Sequence, residues 1–254
     1  MLTAITRGVS RSIGNCELTW LKREPIDADL AISQHHAYEQ ALRAAGAWVI
    51  SLPAIEEHPD AVFVEDPALV LDEVAVMTSM GVESRRGERE SLASALGEFR
   101  PVIWMRLPGK LEGGDVMRIG HVLYAGLSDR TDEAGVAQLA DAVKPFGYRV
   151  KPVELRNCLH LKSACTYLGD DTLVANREWF DEAAIDVRRI IHTPETEPGG
   201  ANALRVGETV VMPSAFPGTA EAVRRAGFRV RELHLSELLK AESGVTCSSL
   251  VFET

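Results

Sequence analysis

Val116-Met117-Arg118-Ile119-Gly120-His121-Val122-Leu123-Tyr124-Ala125 carries the reading of the fold. Two short apolar runs rich in β-branched residues flank a Gly-His pair, the pattern of a β-hairpin closed by a tight turn. The same pattern recurs three times. Ala68–Leu71 turns at Asp72-Glu73 into Val74–Met77, Cys165–Leu168 turns at Gly169-Asp170-Asp171 into Thr172–Ala175, and Ala203–Val206 turns at Gly207-Glu208 into Thr209–Met212. A helix-like stretch follows most hairpins: Glu83–Leu96, Asp132–Val143 and Thr219–Ala226. Each leads to a further strand, such as Arg149–Val153 or Val230–Leu233. The unit is therefore strand, turn, strand, helix, strand. The C-terminal strand Ser248–Phe252, paired near the N-terminal strand Leu2–Ile5, would complete a fifth copy. A period of this size suggests a radial or solenoid arrangement. Periodicity alone leaves a generic α/β sandwich open, because hairpins resemble one another in any fold.

Composition bounds the function. The chain has 254 residues, 37 Asp plus Glu against 27 Lys plus Arg, and a formal net charge of −10. Such a surface is a poor partner for nucleic acid and mildly attractive to cationic small molecules. No apolar run reaches the length of a membrane span. Met1–Arg7 lacks a basic region followed by an apolar stretch, so no secretory leader is expected and a cytoplasmic location is the default. The four cysteines, Cys16, Cys158, Cys165 and Cys247, form no CxxC pair, and the histidines form no zinc pattern. Neither a metal nor another cofactor is expected. One catalytic domain over residues 1–254 fits this length, and self-association as a homodimer stays open.

The informative polar residues interrupt or precede the hairpins. Glu65-Asp66 stands before the first, and Glu112-Gly113-Gly114-Asp115 before the second. His160 sits inside an apolar run, and Cys247 sits beside a glycine-containing loop. If the hairpins surround an axis, these segments can converge at one end of it. Converged, they suit a guanidinium, which is planar, permanently charged and edged with N–H donors that carboxylates clamp. Its central carbon is a poor electrophile and requires a strong nucleophile. A thiolate beside a bound cation is one, and a single histidine can protonate the leaving amine and later activate water. Each residue also has a plainer role. A lone cysteine is usually an inert small hydrophobe, His160 could be an ordinary core histidine, and the acids could cap turns.

Six segments, in order and spacing, resemble the dimethylarginine dimethylaminohydrolase family of guanidino-modifying penteins. They are Phe63-Val64-Glu65-Asp66, Glu83-Ser84-Arg85-Arg86, Leu111–Val116, Ser128-Asp129-Arg130-Thr131, Leu159–Ser163 and Val245–Leu250. The resemblance runs essentially end to end. It implies the α/β pentein fold, a five-bladed pseudo-symmetric α/β propeller of repeated ββαβ units. It also implies hydrolysis of Nω-methylated L-arginine to L-citrulline and methylamine or dimethylamine. In that frame Cys247 attacks the guanidinium carbon and an S-alkylthiouronium intermediate forms. His160 moves the protons, while Glu112 and Asp66 hold the guanidinium and Glu65 supports the pocket. Arg85 and Arg130 grip the substrate carboxylate, and Asp60 takes its ammonium. Backbone groups of Leu18 and Ala241 complete that end, although Ala241 stands where a larger apolar residue is usual in the family. The turn-rich stretch Ser10–Arg23 is the expected lid. Other readings are an arginine or other guanidino deiminase with the same cysteine chemistry, or a non-catalytic protein that binds a cationic amino acid. A cysteine protease would leave the acid clamp without a role.

Overall fold

The computed structural model describes residues 1–254, and fifteen strands form five separate three-stranded sheets. The first blade holds β1 (Leu2–Arg7), α1 (Ala28–Ala44) and β2 (Trp48–Leu52). The second holds β3 (Ala68–Val70), β4 (Ala75–Met77), α2 (Arg89–Gly97) and β5 (Val102–Trp104). The third holds β6 (Val116–Ile119), β7 (Val122–Leu127), α3 (Glu133–Val143) and β8 (Arg149–Glu154). A helical turn, α4 (Leu161–Ala164), leads into the fourth, made of β9 (Cys165–Gly169), β10 (Thr172–Ala175) and β11 (Arg189–His192). The fifth holds β12 (Leu204–Val206), β13 (Thr209–Pro213), α5 (Pro217–Arg225) and β14 (Arg229–Leu233). The chain then passes through α6 (Ser236–Leu239) to β15 (Leu250–Glu253), which returns to the first blade.

Every sheet has the same internal order. The middle strand runs antiparallel to one neighbour, its hairpin partner in four blades and β15 in the first, and parallel to the third strand. A tight turn can only join antiparallel neighbours, whereas the parallel neighbour needs a crossover, here usually a helix. The fourth blade makes that crossover with a short 3-10 turn, Glu182–Ala184, instead of a long helix. The hairpin turns hold Gly120 and Gly207 at φ of 58° and 55°, a left-handed conformation that glycine adopts without a Cβ penalty.

The apolar residues form five wedges between adjacent blades. Val76 with Leu123 fills one, Tyr124 with Leu173 the next and Val174 with Val210 a third. Ala4 with Val211 and Ile5 with Met77 complete the ring. Inside the ring, residues of β3, β6, β9, β12 and β15 line a central channel of about 600 Å³. No helix is long and apolar enough to cross a membrane.

The hairpins expected from sequence are present in the expected registers, with Val116 opposite Ala125 and Leu204 opposite Val211. Two helices differ in detail. Glu83–Leu96 divides into a 3-10 segment, Glu83–Glu88, and α2, while α5 begins at Pro217, two residues early. The sequence reading passed over α1, the longest helix. Its buried face includes Gln34, His35 and Glu39, which dilute the apolar stripe. Their partners are distant in sequence: Gln34 reaches His234 and Ser236, and Glu39 accepts from Thr6. The helix still carries a start signal, since Asp27 accepts the Leu30 N–H at 3.0 Å.

Gly113 sits where the segments leading into the second and third blades approach closely. A Cβ there would lie 2.0 Å from the Glu65 carbonyl oxygen and 2.7 Å from that of Ala68, so backbone would have to move. Gly113→Ala should destabilise the fold by about 3 kcal/mol, read as a lower urea midpoint with an unchanged m-value.

Candidate active site

One end of the propeller axis carries a cleft lined by Asp60, Asp66, Arg85, Arg130, His160, Ala241 and Cys247, together with Glu17, Phe63, Leu159, Glu242 and Ser243. Seven of the ten residues expected from sequence therefore meet in one place. Leu18, Glu65 and Glu112 do not line it. Leu18 lies on the covering strap and packs on the wedge between the first and fifth blades. Glu65 lies beneath Cys247, and Glu112 lies behind the histidine.

The cleft elements come from different blades. Asp60–Asp66 is the connection into β3, Glu112 precedes β6, His160 caps α4, and Cys247 lies three residues before β15. His160 Nε2 meets Glu112 Oε2 at 2.9 Å, and His160 Nδ1 faces Asp66 Oδ1 at 3.8 Å. Both ring nitrogens thus point at carboxylates, the arrangement of an imidazolium with two donors. Burial alone would lower the histidine's pKa. Asp66, Asp115 and Glu112 outweigh it and push the value up to about 9. Asp66, Glu112 and His160 are also the one group whose ligand atoms could share a cation.

Asp66 is 4% exposed, yet its Oδ1 has no hydrogen-bond partner. Its Oδ2 accepts from Arg85 Nη1 at 2.6 Å. Burial would raise the carboxyl's pKa, but His160 and Arg85 hold it below the ordinary range. Arg85 also forks onto Glu88 at 3.1 and 3.0 Å, which fixes its plane. Glu112 has no exposure. Its Oε1 accepts the Gly81 N–H at 3.1 Å and lies 3.5 Å from Arg130 Nη1. Its oxygens are thus turned toward His160, Gly81 and Arg130.

Cys247 is the one partly exposed cysteine; the other three are buried. Burial, with Glu65 and Asp66 nearby, pushes its thiol up to about 12. The Gly244 N–H, donating to Sγ at 3.3 Å, and Lys162 act in the opposite direction. The thiol is therefore protonated at rest, and a cation placed beside it would release the proton. Glu65 accepts from Lys162 Nζ at 2.5 Å and from Thr246 Oγ1 at 2.7 Å. Its N–H donates to the Cys247 carbonyl at 3.1 Å. That group separates the cleft from the central channel, which Glu65, Lys162 and Thr246 also line.

The cleft has room for only about 20 Å³, enough for about one water and too little for an amino acid. The segment expected as a lid explains why. The Glu17 N–H donates to both Asp60 oxygens at 3.2 and 3.1 Å, and Arg130 Nη2 donates to Thr19 Oγ1 at 2.8 Å. The Glu242 carboxylate accepts three successive backbone N–H groups, from Thr19 at 2.8 Å and from Trp20 and Leu21. Glu242 itself has a φ of 55°, a left-handed conformation that costs a non-glycine residue energy and turns the side chain toward the strap. The sequence reading missed Glu17 and Glu242, because neither role has a motif. Asp115 has a structural part that its sequence context does not reveal. It accepts from Ser128 Oγ at 2.7 Å and from the Leu161 N–H at 2.9 Å, which ties the histidine's segment to the third blade.

Comparison with known proteins points one way. The model of the family described as N,N dimethylarginine dimethylhydrolase, eukaryotic, matches residues 14–193. The N(G),N(G)-dimethylarginine dimethylaminohydrolase of Pseudomonas aeruginosa is 39% identical over 224 residues, 87% of this chain and 88% of that protein. The Streptomyces coelicolor protein of the same name is 37% identical over 248 residues, 97% and 95% of the two chains. A solved structure of the Pseudomonas aeruginosa enzyme, a cysteine-to-serine mutant complexed with citrulline, matches with a TM-score of 0.92 at 36% identity. It covers 99% of this chain and 100% of that one.

His160 should titrate near pH 9 by NMR. Its raised pKa means that its charge stabilises the fold fully below pH ~6.5, with the contribution lost as pH rises through about 9. Asp66→Asn should move the titration downward, because the strongest group favouring the charged ring is gone. Glu242→Ala should speed amide hydrogen exchange at Thr19, Trp20 and Leu21 by about tenfold or more, since charge-assisted hydrogen bonds are lost.

Proposed function

The chain belongs to the dimethylarginine dimethylaminohydrolase family, and from that premise we propose that it hydrolyses Nω-methylated L-arginine to L-citrulline and methylamine or dimethylamine. In this reading residues 1–254 act as one catalytic domain. The observation that carries it is Asp66 Oδ1, a buried carboxylate oxygen with no partner, in a cleft that also holds Cys247 and the charged His160. A guanidinium edge supplies the missing donor. Its positive charge offsets Asp66 and Glu65, and stabilises the Cys247 thiolate.

The steps follow from these protonation states. As the cation binds, the Cys247 proton passes to solvent, and Sγ adds to the guanidinium carbon. His160, an imidazolium, gives a proton to the departing amine, and the C–N bond breaks to leave the S-alkylthiouronium. Neutral His160 then takes a proton from water, whose oxygen adds to the same carbon. The C–S bond breaks, the adduct's hydroxyl proton passes to solvent, citrulline leaves, and thiolate and imidazolium are restored. Glu112 acts through His160 Nε2, and Glu65 acts beneath the Cys247 carbonyl. The strap contacts suggest how the amino-acid end is gripped. The substrate ammonium replaces the Glu17 N–H as donor to Asp60, and its carboxylate replaces the Thr19 hydroxyl as acceptor for Arg130, with Arg85 alongside. Carbonyls of Leu18 and Ala241 supply the remaining acceptors. Use of the Ala241 carbonyl alone makes its small side chain neutral. Opening of the strap must precede binding and release. Four free cysteines suit a reducing, cytoplasmic setting.

The test is parallel incubation with asymmetric dimethylarginine, L-arginine and agmatine, with and without EDTA, followed by assay of the ureido product. Citrulline should come from dimethylarginine, be unaffected by EDTA, and vanish in Cys247→Ser. Turnover of arginine or agmatine alone would move the substrate to a sister activity. No turnover of any of them would make the named substrate wrong.

A further inference from the structure

The mechanism needs Cys247 Sγ and the His160 ring at fixed positions around one carbon, yet the two come from separate segments of the ring. Cys247 follows the fifth blade, and His160 stands between the third and fourth. One buried side chain outside the cleft lining joins them. Asn202, 6% exposed, ends the 3-10 turn Pro198–Ala201. Its Oδ1 accepts the Thr246 N–H at 3.1 Å. Its Nδ2 donates to the Lys162 carbonyl at 2.9 Å and to Thr246 Oγ1 at 2.9 Å. Thr246 adjoins the nucleophile, and Lys162 lies two residues beyond the histidine.

The amide orientation is fixed by its partners, because a backbone N–H demands the oxygen and a carbonyl demands the nitrogen. Both N–H donors are used. The chain of bonds continues from Thr246 Oγ1 to Glu65 Oε2, and from Glu65 Oε1 to Lys162 Nζ. It closes a loop through Lys162 back to Asn202. Gly244 packs against the same amide, where a Cβ would lie 2.2 Å from Asn202 Cγ. Gly244 also donates its N–H to Cys247 Sγ. The nucleophile's turn thus rests flat on the Asn202 amide.

We propose that Asn202 is a positioning residue, which holds Cys247 in register with His160 through Thr246 and the Lys162 carbonyl. This rests on the cysteine–histidine reaction proposed above. Aspartate at this position keeps an oxygen for the Thr246 N–H but loses both donors and sets a charge near Glu65. Thr246→Val is a second, milder break: it removes the hydroxyl and keeps the backbone N–H.

Asn202→Asp and Thr246→Val would be assayed for kcat and KM with dimethylarginine. The second substrate is an S-alkyl isothiocitrulline, whose thiolate leaving group needs no proton. With dimethylarginine, kcat should fall by about 10- to 100-fold for Asn202→Asp and less for Thr246→Val, while KM stays within about threefold, as expected for misplaced reacting groups. The loss should be smaller with the thiolate-releasing substrate, because protonation by His160 is bypassed in that step. Circular dichroism and thermal melts report folding. Folded variants with wild-type kcat, or with equal losses on both substrates, would overturn the positioning role alone. Wild-type protein inactive on dimethylarginine would overturn the reaction and this role with it.

Discussion

The pairing of β15 with β1 is the constraint from which the rest of the architecture follows. Leu2 lies opposite Glu253 and Ile5 opposite Leu250, so the last strand of the chain becomes the inner strand of the first blade. An open row of blades would leave two strand edges and one apolar wedge exposed to water; closure removes both liabilities. Closure also delivers chemistry. The turn carrying Cys247 is the final stretch before β15, and its placement depends on both the fifth blade and the first. Tyr38 on α1 adds to that anchorage, donating to the Val245 carbonyl at 2.7 Å and lying 2.6 Å from Ser249 Oγ.

The second organising feature is buried charge. Asp60, Glu65, Asp66, Glu88, Glu112 and Asp115 are all buried around the cleft. Facing these six acids are four cationic groups: Arg85, Arg130, His160 and Lys162. Burying so many acids opposes folding unless each is paired or neutralised. Pairing accounts for most of them. The surplus appears as raised pKa values, chiefly through burial, with Glu88 at about 7 and Asp115 at about 6. A surplus of this sign at the bottom of a cleft favours a cationic ligand over a neutral one. Together with burial, it also raises the Cys247 thiol's pKa.

The strap links these groups to access. Glu17 and Thr19 satisfy Asp60 and Arg130 while the cleft is closed, so neither charged group waits unpaired in a low-dielectric site. Exchange of one set of partners for another costs less than exposing bare charges. The same segment that shuts the cleft thereby keeps Asp60 and Arg130 paired.

The sequence alone determined the repeat and the chemical residue types. Hairpins announce themselves locally through β-branched runs and Gly or Asp turns, and five copies of such a unit have few ways to bury one face of every sheet. Glu65, Asp66, Glu112, His160 and Cys247 stood out because polar groups interrupted apolar runs at hairpin starts. Longer-range partners left no such trace. The polar face of α1 reads poorly as a helix because its partners lie far along the chain, and Glu17, Asn202 and Glu242 belong to no motif. Their roles arise from hydrogen bonds across blades: Asn202 bonds residues 40 and 44 positions away, and Glu242 bonds amides more than 220 positions away. Periodicity and turn chemistry act over a few residues and are written in the sequence. Which carboxylate faces which nitrogen depends on ring closure, and only the tertiary structure decided it.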